Sequence, residues 1–242
     1  MRNFKLRKSK NVAYVSFNRN KAMNALNSDT LKELIEINNK IQKDFKIKVV
    51  VYRGNGDNFS AGADIKEKIE KSSDIEIWKT NLGKEVIESI LKIDQITIAS
   101  IKGYCLGGAA CIATACDFRI AARNALIGYP EINLGMNLNW FGLPLILRLI
   151  GPSKAKKMVI SGDLENAETL LEWGLIDQIC ELEHLEKTTT KMAIKYSLKQ
   201  PIPAQMIKKS INILCYQNDQ SVMHMDYDQF LLSREFLKKE KN

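Results

Sequence analysis

Residues 96–120 read I-T-I-A-S-I-K-G-Y-C-L-G-G-A-A-C-I-A-T-A-C-D-F-R-I. The apolar, β-branched run Ile96 to Ile101 has the pattern of a buried strand. It breaks at Gly103, and Gly107-Gly108 then opens a run of small residues through Ala115 that reads as a buried helix. A helix start carries unpaired N–H groups and the positive end of the macrodipole. With glycine there, an oxygen of a ligand can approach the backbone closely. The place where negative charge develops during chemistry is therefore expected at Gly107-Gly108.

Outward from that stretch the chain reads as an ordinary globular protein. Its 242 residues are 45% hydrophobic and 26% charged, enough for a full core. No apolar run approaches the roughly 18 residues of a membrane span. Met1-Arg2-Asn3-Phe4-Lys5 is not followed by an apolar leader core. The five cysteines are irregularly spaced in apolar surroundings, which points to a reduced, cytoplasmic location. The net charge of +8 fits either an anionic ligand, such as a phosphate-bearing cofactor or nucleic acid, or a lysine-rich solvated surface. Charge alone leaves both open.

Along the chain, Val12 to Phe17 alternates as a strand after the turn residue Asn11. Asn27-Ser28-Asp29 supplies caps for a helix with Leu31, Leu34, Ile35 and Ile41 on one face. Ile47 to Arg53 is a second strand, closed by Gly54-Asn55-Gly56-Asp57. Phe59-Ser60-Ala61-Gly62-Ala63-Asp64 is a small-residue loop leading to a helix that Asp64 is placed to cap. Asp74 to Lys92 has the period of one amphipathic helix. Short strands fit Asp117 to Ala121 and Ala125 to Ile127, ahead of the loop Gly128-Tyr129-Pro130-Glu131. From Trp140 onward the pattern is mostly helical, punctuated at Gly151-Pro152-Ser153 and Ser161-Gly162-Asp163. A strand fits Leu175 to Ile179, and helices fit Leu182 to Leu198, the segment after Gln200-Pro201, and Ser221 to Lys239. The strand–strand–helix rhythm with an α-rich tail predicts one α/β core with a helical extension.

Two glycine loops, Ala61-Gly62-Ala63 and Leu106-Gly107-Gly108, each follow a strand and precede a helix. Side by side, the N–H groups of Ala63 and Gly108 would form a two-donor oxyanion hole, where losing one donor costs about 2.7–4 kcal/mol. Spacing alone does not establish the adjacency, and ordinary turns look the same. Glu131 is either a solvated loop residue or a general base with a tuned pKa. Cys111 reads as a small apolar filler rather than a nucleophile, because no histidine lies near it to act as base. The two histidines, His184 and His224, both fall in the helical tail, which speaks against a Ser-His-Asp or Cys-His triad. Cys105, Cys111 and Cys116 lack zinc spacing, so no metal is expected. The glycines match neither dinucleotide nor P-loop patterns. Basic residues are scattered rather than interleaved with aromatics, which speaks against nucleic acid.

Five ordered motifs resemble the crotonase (enoyl-CoA hydratase/isomerase) superfamily over nearly the whole chain. Asn18-Arg19-Asn20-Lys21-Ala22-Met23-Asn24-Ala25-Leu26 is similar to its first cofactor loop, with Asn20 where proline is usual. Phe59 to Glu67 is similar to its first oxyanion segment, Lys102 to Gly108 to the second, and Cys116-Asp117 to the strand after it. Pro130-Glu131-Ile132-Asn133-Leu134-Gly135 is similar to its catalytic loop. The resemblance implies the α/β crotonase (ClpP/crotonase-like) fold, a spiral of repeated ββα units with a helical C-terminal trimerisation region. Residues 1–190 would form the crotonase core and residues 191–242 a helical extension of the same domain, with no flexible linker. It implies assembly as a homotrimer or hexamer. It implies an acyl thioester of coenzyme A, or of carrier-protein phosphopantetheine, and no prosthetic group. The thioester oxygen would be held by Ala63 and Gly108. Ala61, Gly62, Ala63, Asp64, Ile65 and Lys66 would line the adenine and pantetheine region, and Lys21 would meet phosphates.

Hydratases of the family usually carry two glutamates. In this chain Cys111 stands where the first would be, and Glu131 keeps the second. One acid is enough to take a proton from C2 and return it at C4, so the pattern implies an enoyl-CoA isomerase with Glu131 as sole acid/base. A hydratase that recruits another group, a decarboxylase using the same oxyanion hole, and a non-catalytic acyl-CoA-binding member are the alternatives. Trp140-Phe141-Gly142-Leu143 suits a dry acyl pocket, though a core helix explains it as well. The chain stops at Asn242, short of the family's basic-aromatic tail, so the resemblance does not extend to contacts from that tail.

Overall fold

The computed structural model describes residues 2–67, 73–219 and 225–240. Strands β1 (Phe4–Ser9) and β2 (Val12–Phe17) form an antiparallel hairpin. β1 carries Lys5, Arg7 and Lys8 on an edge where charge discourages further pairing, and that charge hides it from a sequence reading. Helix α1 (Ser28–Gln42) starts where expected: the Asn27 side chain accepts the Thr30 amide, replacing a helical partner that the first turn lacks. β3 (Val49–Gly54) follows. The helix expected from Asp74 to Lys92 is two, α2 (Asp74–Lys79) and α3 (Leu82–Leu91). Ser73 caps the first, and Asn81 breaks in to cap the second by accepting the Lys84 amide. After Asp64 the chain turns rather than entering a helix, and residues 68–72 lie outside the described residues.

The opening stretch becomes β4 (Ile96–Ile101), a short β5 (Tyr104–Leu106) and α4 (Gly108–Ala115). Then come β6 (Phe118–Ala122), β7 (Leu126–Gly128) and a 3-10 turn over Pro130–Leu134. The helical region holds α5 (Gly142–Ser161), β8 (Leu164–Asn166), α6 (Ala167–Trp173), β9 (Gln178–Cys180), α7 (Leu185–Ser197) and α8 (Pro201–Tyr216). α5 is broken at Gly151, where φ is 76° and Pro152 restarts the helix, as the punctuation there implies. The last helix spans Asp226–Glu240. Residues 221–224 of the expected helix, His224 among them, lie outside the described residues.

Among the described residues, six strands form one sheet in the order β1-β2-β3-β4-β6-β9, parallel from β2 onward. Its central strands are buried on both faces, which is why they read as continuous apolar runs. Ala13, Val15, Val50, Tyr52, Ala99 and Ile101 face the main core with α1, α3 and α4. Their neighbours Val12, Tyr14, Val49, Val51 and Ile98 face Leu185 and Ala193 of α7. Residue 190 lies within that helix. A small second sheet, β5-β7-β8, stands beside the first and positions the site. α8 is pinned to the large sheet by Lys208, 8% exposed, whose Nζ lies 2.8 Å from Asp117 Oδ2 and donates to the Gln95 carbonyl at 2.7 Å.

Candidate active site

Three segments distant in sequence are stitched together by backbone pairing. The Ser60 amide donates to the Tyr104 carbonyl at 3.0 Å, and the Leu106 amide returns to the Ser60 carbonyl at 3.1 Å. On the other edge of β5, Cys105 pairs with Ile127 and Leu106 with Gly128. The Gly107 amide donates to the Gly128 carbonyl at 2.9 Å. The loops expected to carry an oxyanion hole therefore lie side by side, and the loop holding Glu131 is tied to the second of them.

Glycine is required at two points of this junction. Gly62 has φ +84°, and a methyl group on it would lie 2.4 Å from the Leu106 carbonyl oxygen and 3.6 Å from the Gly108 nitrogen. Gly107 has φ +53°, and a methyl group on it would meet Glu131 Oε1 at 2.5 Å. Both sites combine a left-handed backbone with no room for a side chain. Among the described residues, neither the Ala63 amide nor the Gly108 amide has a protein acceptor. Gly108 is the first residue of α4, where the N–H groups have no helical partner. Two free amides on adjoining loops are a ready cradle for an anionic oxygen.

Glu131 enters on the rigid Pro130, with Tyr129 fully buried behind it. Its Oε2 is closed off from solvent and has no hydrogen-bond partner. Burial of this carboxyl end pushes its pKa up from 4.5 to about 7, against an opposing hydrogen bond from its own backbone. An unpaired carboxylate shielded from water ionises reluctantly, and one poised near neutrality suits proton transfer.

Cys111, one turn into α4, is fully buried. Its thiol donates weakly to the Asn139 carbonyl at 3.8 Å. Burial, with the charge of Glu131 next, holds it well above the usual thiol range, so it is a neutral filler and not a nucleophile. Trp140 lies over the amino ends of two helices: methyl groups on Gly83 and Gly108 would meet its ring at 1.8 and 2.1 Å. Asp226, from the last helix, accepts the Phe141 amide at 3.2 Å, and burial raises its pKa. Nothing near Gly83 or Asp226 in sequence marks them as neighbours of this site. The glycine inside an otherwise helical pattern at position 83 is the one available signal.

The first loop wraps the same junction. Asn24 is buried and its amide donates to the carbonyls of Asn55 and Asn58 at 2.9 Å each, while Ser60 Oγ donates to its carbonyl at 2.8 Å. The Ala61 amide donates to the Met23 carbonyl at 2.9 Å. Asp64 is ion-paired with Arg19 at 3.0 Å and its amide donates to the Leu26 carbonyl at 3.0 Å, so its carboxylate braces the loop. Lys21, Ile65 and Lys66 are exposed around it, Ile65 at 76%. His184 sits apart on an exposed turn before α7. No cluster of metal-binding side chains occurs among the described residues, and no helix is long and apolar enough to cross a membrane.

Comparison with known proteins agrees with this geometry. The sequence model of the enoyl-CoA hydratase/isomerase family matches residues 7–241. The short-chain-enoyl-CoA hydratase of Clostridium acetobutylicum is 36% identical over 214 residues, 88% of this chain and 82% of that one. The crotonyl-CoA hydratase of Syntrophomonas wolfei is 33% identical over 230 residues, covering 94% and 88%. The crystal structure of an enoyl-CoA hydratase from Bacillus anthracis superposes with a TM-score of 0.83 at 28% identity, over 96% of this chain and 90% of that one. With a family model matching nearly the whole chain and relatives more than 30% identical over most of both lengths, the chain belongs to the enoyl-CoA hydratase/isomerase family of the crotonase superfamily.

Proposed function

We propose that the protein isomerises the double bond of an unsaturated acyl-CoA thioester, with Glu131 as sole acid/base and the amides of Ala63 and Gly108 as the oxyanion hole. The observation that carries this reading is a carboxylate facing a neutral thiol at the junction: Glu131 lies against Gly107, and the corresponding place on α4 holds the neutral, buried Cys111. In the reaction, ionised Glu131 takes a proton from C2 of a 3-enoyl thioester. The C–H electron pair moves into the carbonyl, and the dienolate oxygen gains strength in its bonds to the two amides. Protonated Glu131 then returns the proton at C4, and the double bond comes to rest between C2 and C3. A carboxyl pKa of about 7 lets one group serve in both directions near neutral pH. The base form is needed first, so kcat/KM for a 3-enoyl substrate rises with pH through an inflection near 7.

Coenzyme A is the handle in this reading. Ala61 and Asp64 hold the loop over which the pantetheine passes, Ile65 offers an exposed apolar surface to the adenine, and Lys21 and Lys66 meet phosphates. This gives part of the net charge of +8 a use. A trimer or hexamer has a candidate surface in α8, where Ile202, Met206, Ile207, Ile211 and Leu214 are exposed.

Hydration is the second reading, favoured by the relatives, which are named as hydratases. It requires a second group to hold the attacking water. Incubation with 3-enoyl- and 2-enoyl-CoA in heavy water separates the two. Deuterium at C2 and C4 without hydroxyacyl product supports isomerisation. Rapid hydroxyacyl formation, or product formation undiminished in Glu131→Gln, refutes it.

A further inference from the structure

We infer that the Trp140 indole is the end wall of the acyl pocket and restricts the enzyme to short, roughly four-carbon acyl chains; this rests on the acyl-thioester reading above. Gly107 and Gly108 are successive residues with different neighbours. A methyl group on Gly107 would meet Glu131 Oε1 at 2.5 Å, whereas one on Gly108 would meet Trp140 Cζ3 at 2.1 Å and its Cε3 and Cη2 at 2.6 Å. The carboxylate and the indole thus flank the same short piece of backbone. An acyl group whose carbonyl oxygen sits on the Gly108 amide, with C2 to C4 within reach of Glu131, has the ring in its path as the chain lengthens.

The ring occupies a fitted seat. Its six-membered ring lies on Gly108, and its other edge lies on Gly83, where a methyl group would stand 1.8 Å from Cε2 and 1.9 Å from Nε1. Only glycine at both helix starts leaves this slot open. The backbone is held in a costly conformation to place it: Trp140 has φ +59° and Phe141 φ +57°, a region that bulky residues rarely adopt. Three groups hold that pair. Asp226, 4% exposed, accepts the Phe141 amide, the Lys84 ammonium stands 5.0 Å over the Phe141 ring, and Cys111 Sγ donates to the carbonyl of Asn139 just before it. Backbone strain of this kind, held from several sides, concentrates at sites where a side chain must be aimed.

The test is a chain-length profile. Isomerisation kcat/KM is measured for 3-enoyl-CoA substrates of four, six, eight and ten carbons on the wild type, Trp140→Ala, Trp140→Phe and Trp140→Gly. Thermal melts identify the folded variants, and Trp140→Gly relieves the left-handed backbone if the alanine variant does not fold. The wild type is expected to prefer four carbons over eight by at least about hundredfold, since each methylene in an apolar pocket is worth roughly 10–200-fold. Trp140→Ala should shrink that preference at least about tenfold, with Trp140→Phe between. A wild type that turns over eight carbons as well as four, or a folded variant with an unchanged profile, overturns the proposal. If no enoyl thioester is turned over at all, the isomerase reading fails on its own. Calorimetric binding of saturated acyl-CoAs of the same lengths to wild type and Trp140→Ala then still reads the wall: an affinity that drops beyond four carbons only in the wild type supports it, and identical trends refute it.

Discussion

Glu131 leaves a signature in stability as well as in the proposed catalysis. In the unfolded chain its carboxyl titrates near 4.5, and in the folded chain near 7. The folded state therefore disfavours the ionised form. Below pH 4.5 the group is protonated in both states and costs nothing. Between 4.5 and 7 the unfolded chain releases the proton first, and stability falls; above 7 the loss is complete. At about 1.4 kcal/mol per pH unit, the full loss is about 3 kcal/mol. Glu131→Gln removes this titration. Any cost of the buried amide, which inherits the unpartnered surroundings of Oε2, is the same at every pH. The assay is urea unfolding of wild type and variant from pH 4 to pH 8.5 at one protein concentration. The stability of the variant relative to the wild type should rise by about 3 kcal/mol across that range, most of it between 4.5 and 7. A difference that stays flat within about 0.5 kcal/mol refutes the buried, unpaired carboxylate and, with it, the reason for a base poised near neutrality.

Gly62→Ala, with a methyl group 2.4 Å from the Leu106 carbonyl oxygen and φ +84°, should shift the Ala63 amide and lower kcat about hundredfold or more with little change in circular dichroism. Lys208→Met removes the ammonium paired with Asp117 and leaves its Oδ2 with two hydrogen bonds from Thr97. It should destabilise the fold by about 3–5 kcal/mol, read by the same urea titration. In the native protein a disulfide reagent should leave Cys105, Cys111 and Cys116, which are buried, unmodified until denaturant is added. Fast native labelling of Cys111 would contradict its neutral, filler state.

Much of the architecture is legible along the chain because its signals are local. Asn27 caps α1 through a residue three positions away, and the β-branched and apolar runs of β2 and β3 mark them as strands. The strands that escaped were β1, whose lysines and arginine mask its period, and β5 and β8, each three residues long and too short for any period. That loss matters, because β5 is the element that makes the site. Its pairing with Ser60 on one side and with β7 on the other joins residues more than twenty positions apart. Whether the Glu131 carboxyl is solvated or closed off from water is decided by that pairing and not by its neighbours in sequence. Trp140 was visible only as one member of an apolar run. Its seat depends on Gly83, on a helix that the sequence presents as continuous from Asp74 to Lys92.

The buried amide of Asn24 has a mechanical consequence. It grips Asn55 and Asn58 while its own carbonyl receives Ser60, and Arg19, in the same loop, reaches on to Asp64. The loop bearing Lys21, the turn after β3 and the segment bearing Ala63 are thereby fastened at one knot. They form one plate, so a displacement of the loop around Lys21 is carried to the Ala63 amide without passing through the sheet. Grafting the first loop of a relative into this chain would accordingly transplant the aim of the proposed oxyanion donor along with the loop's charges.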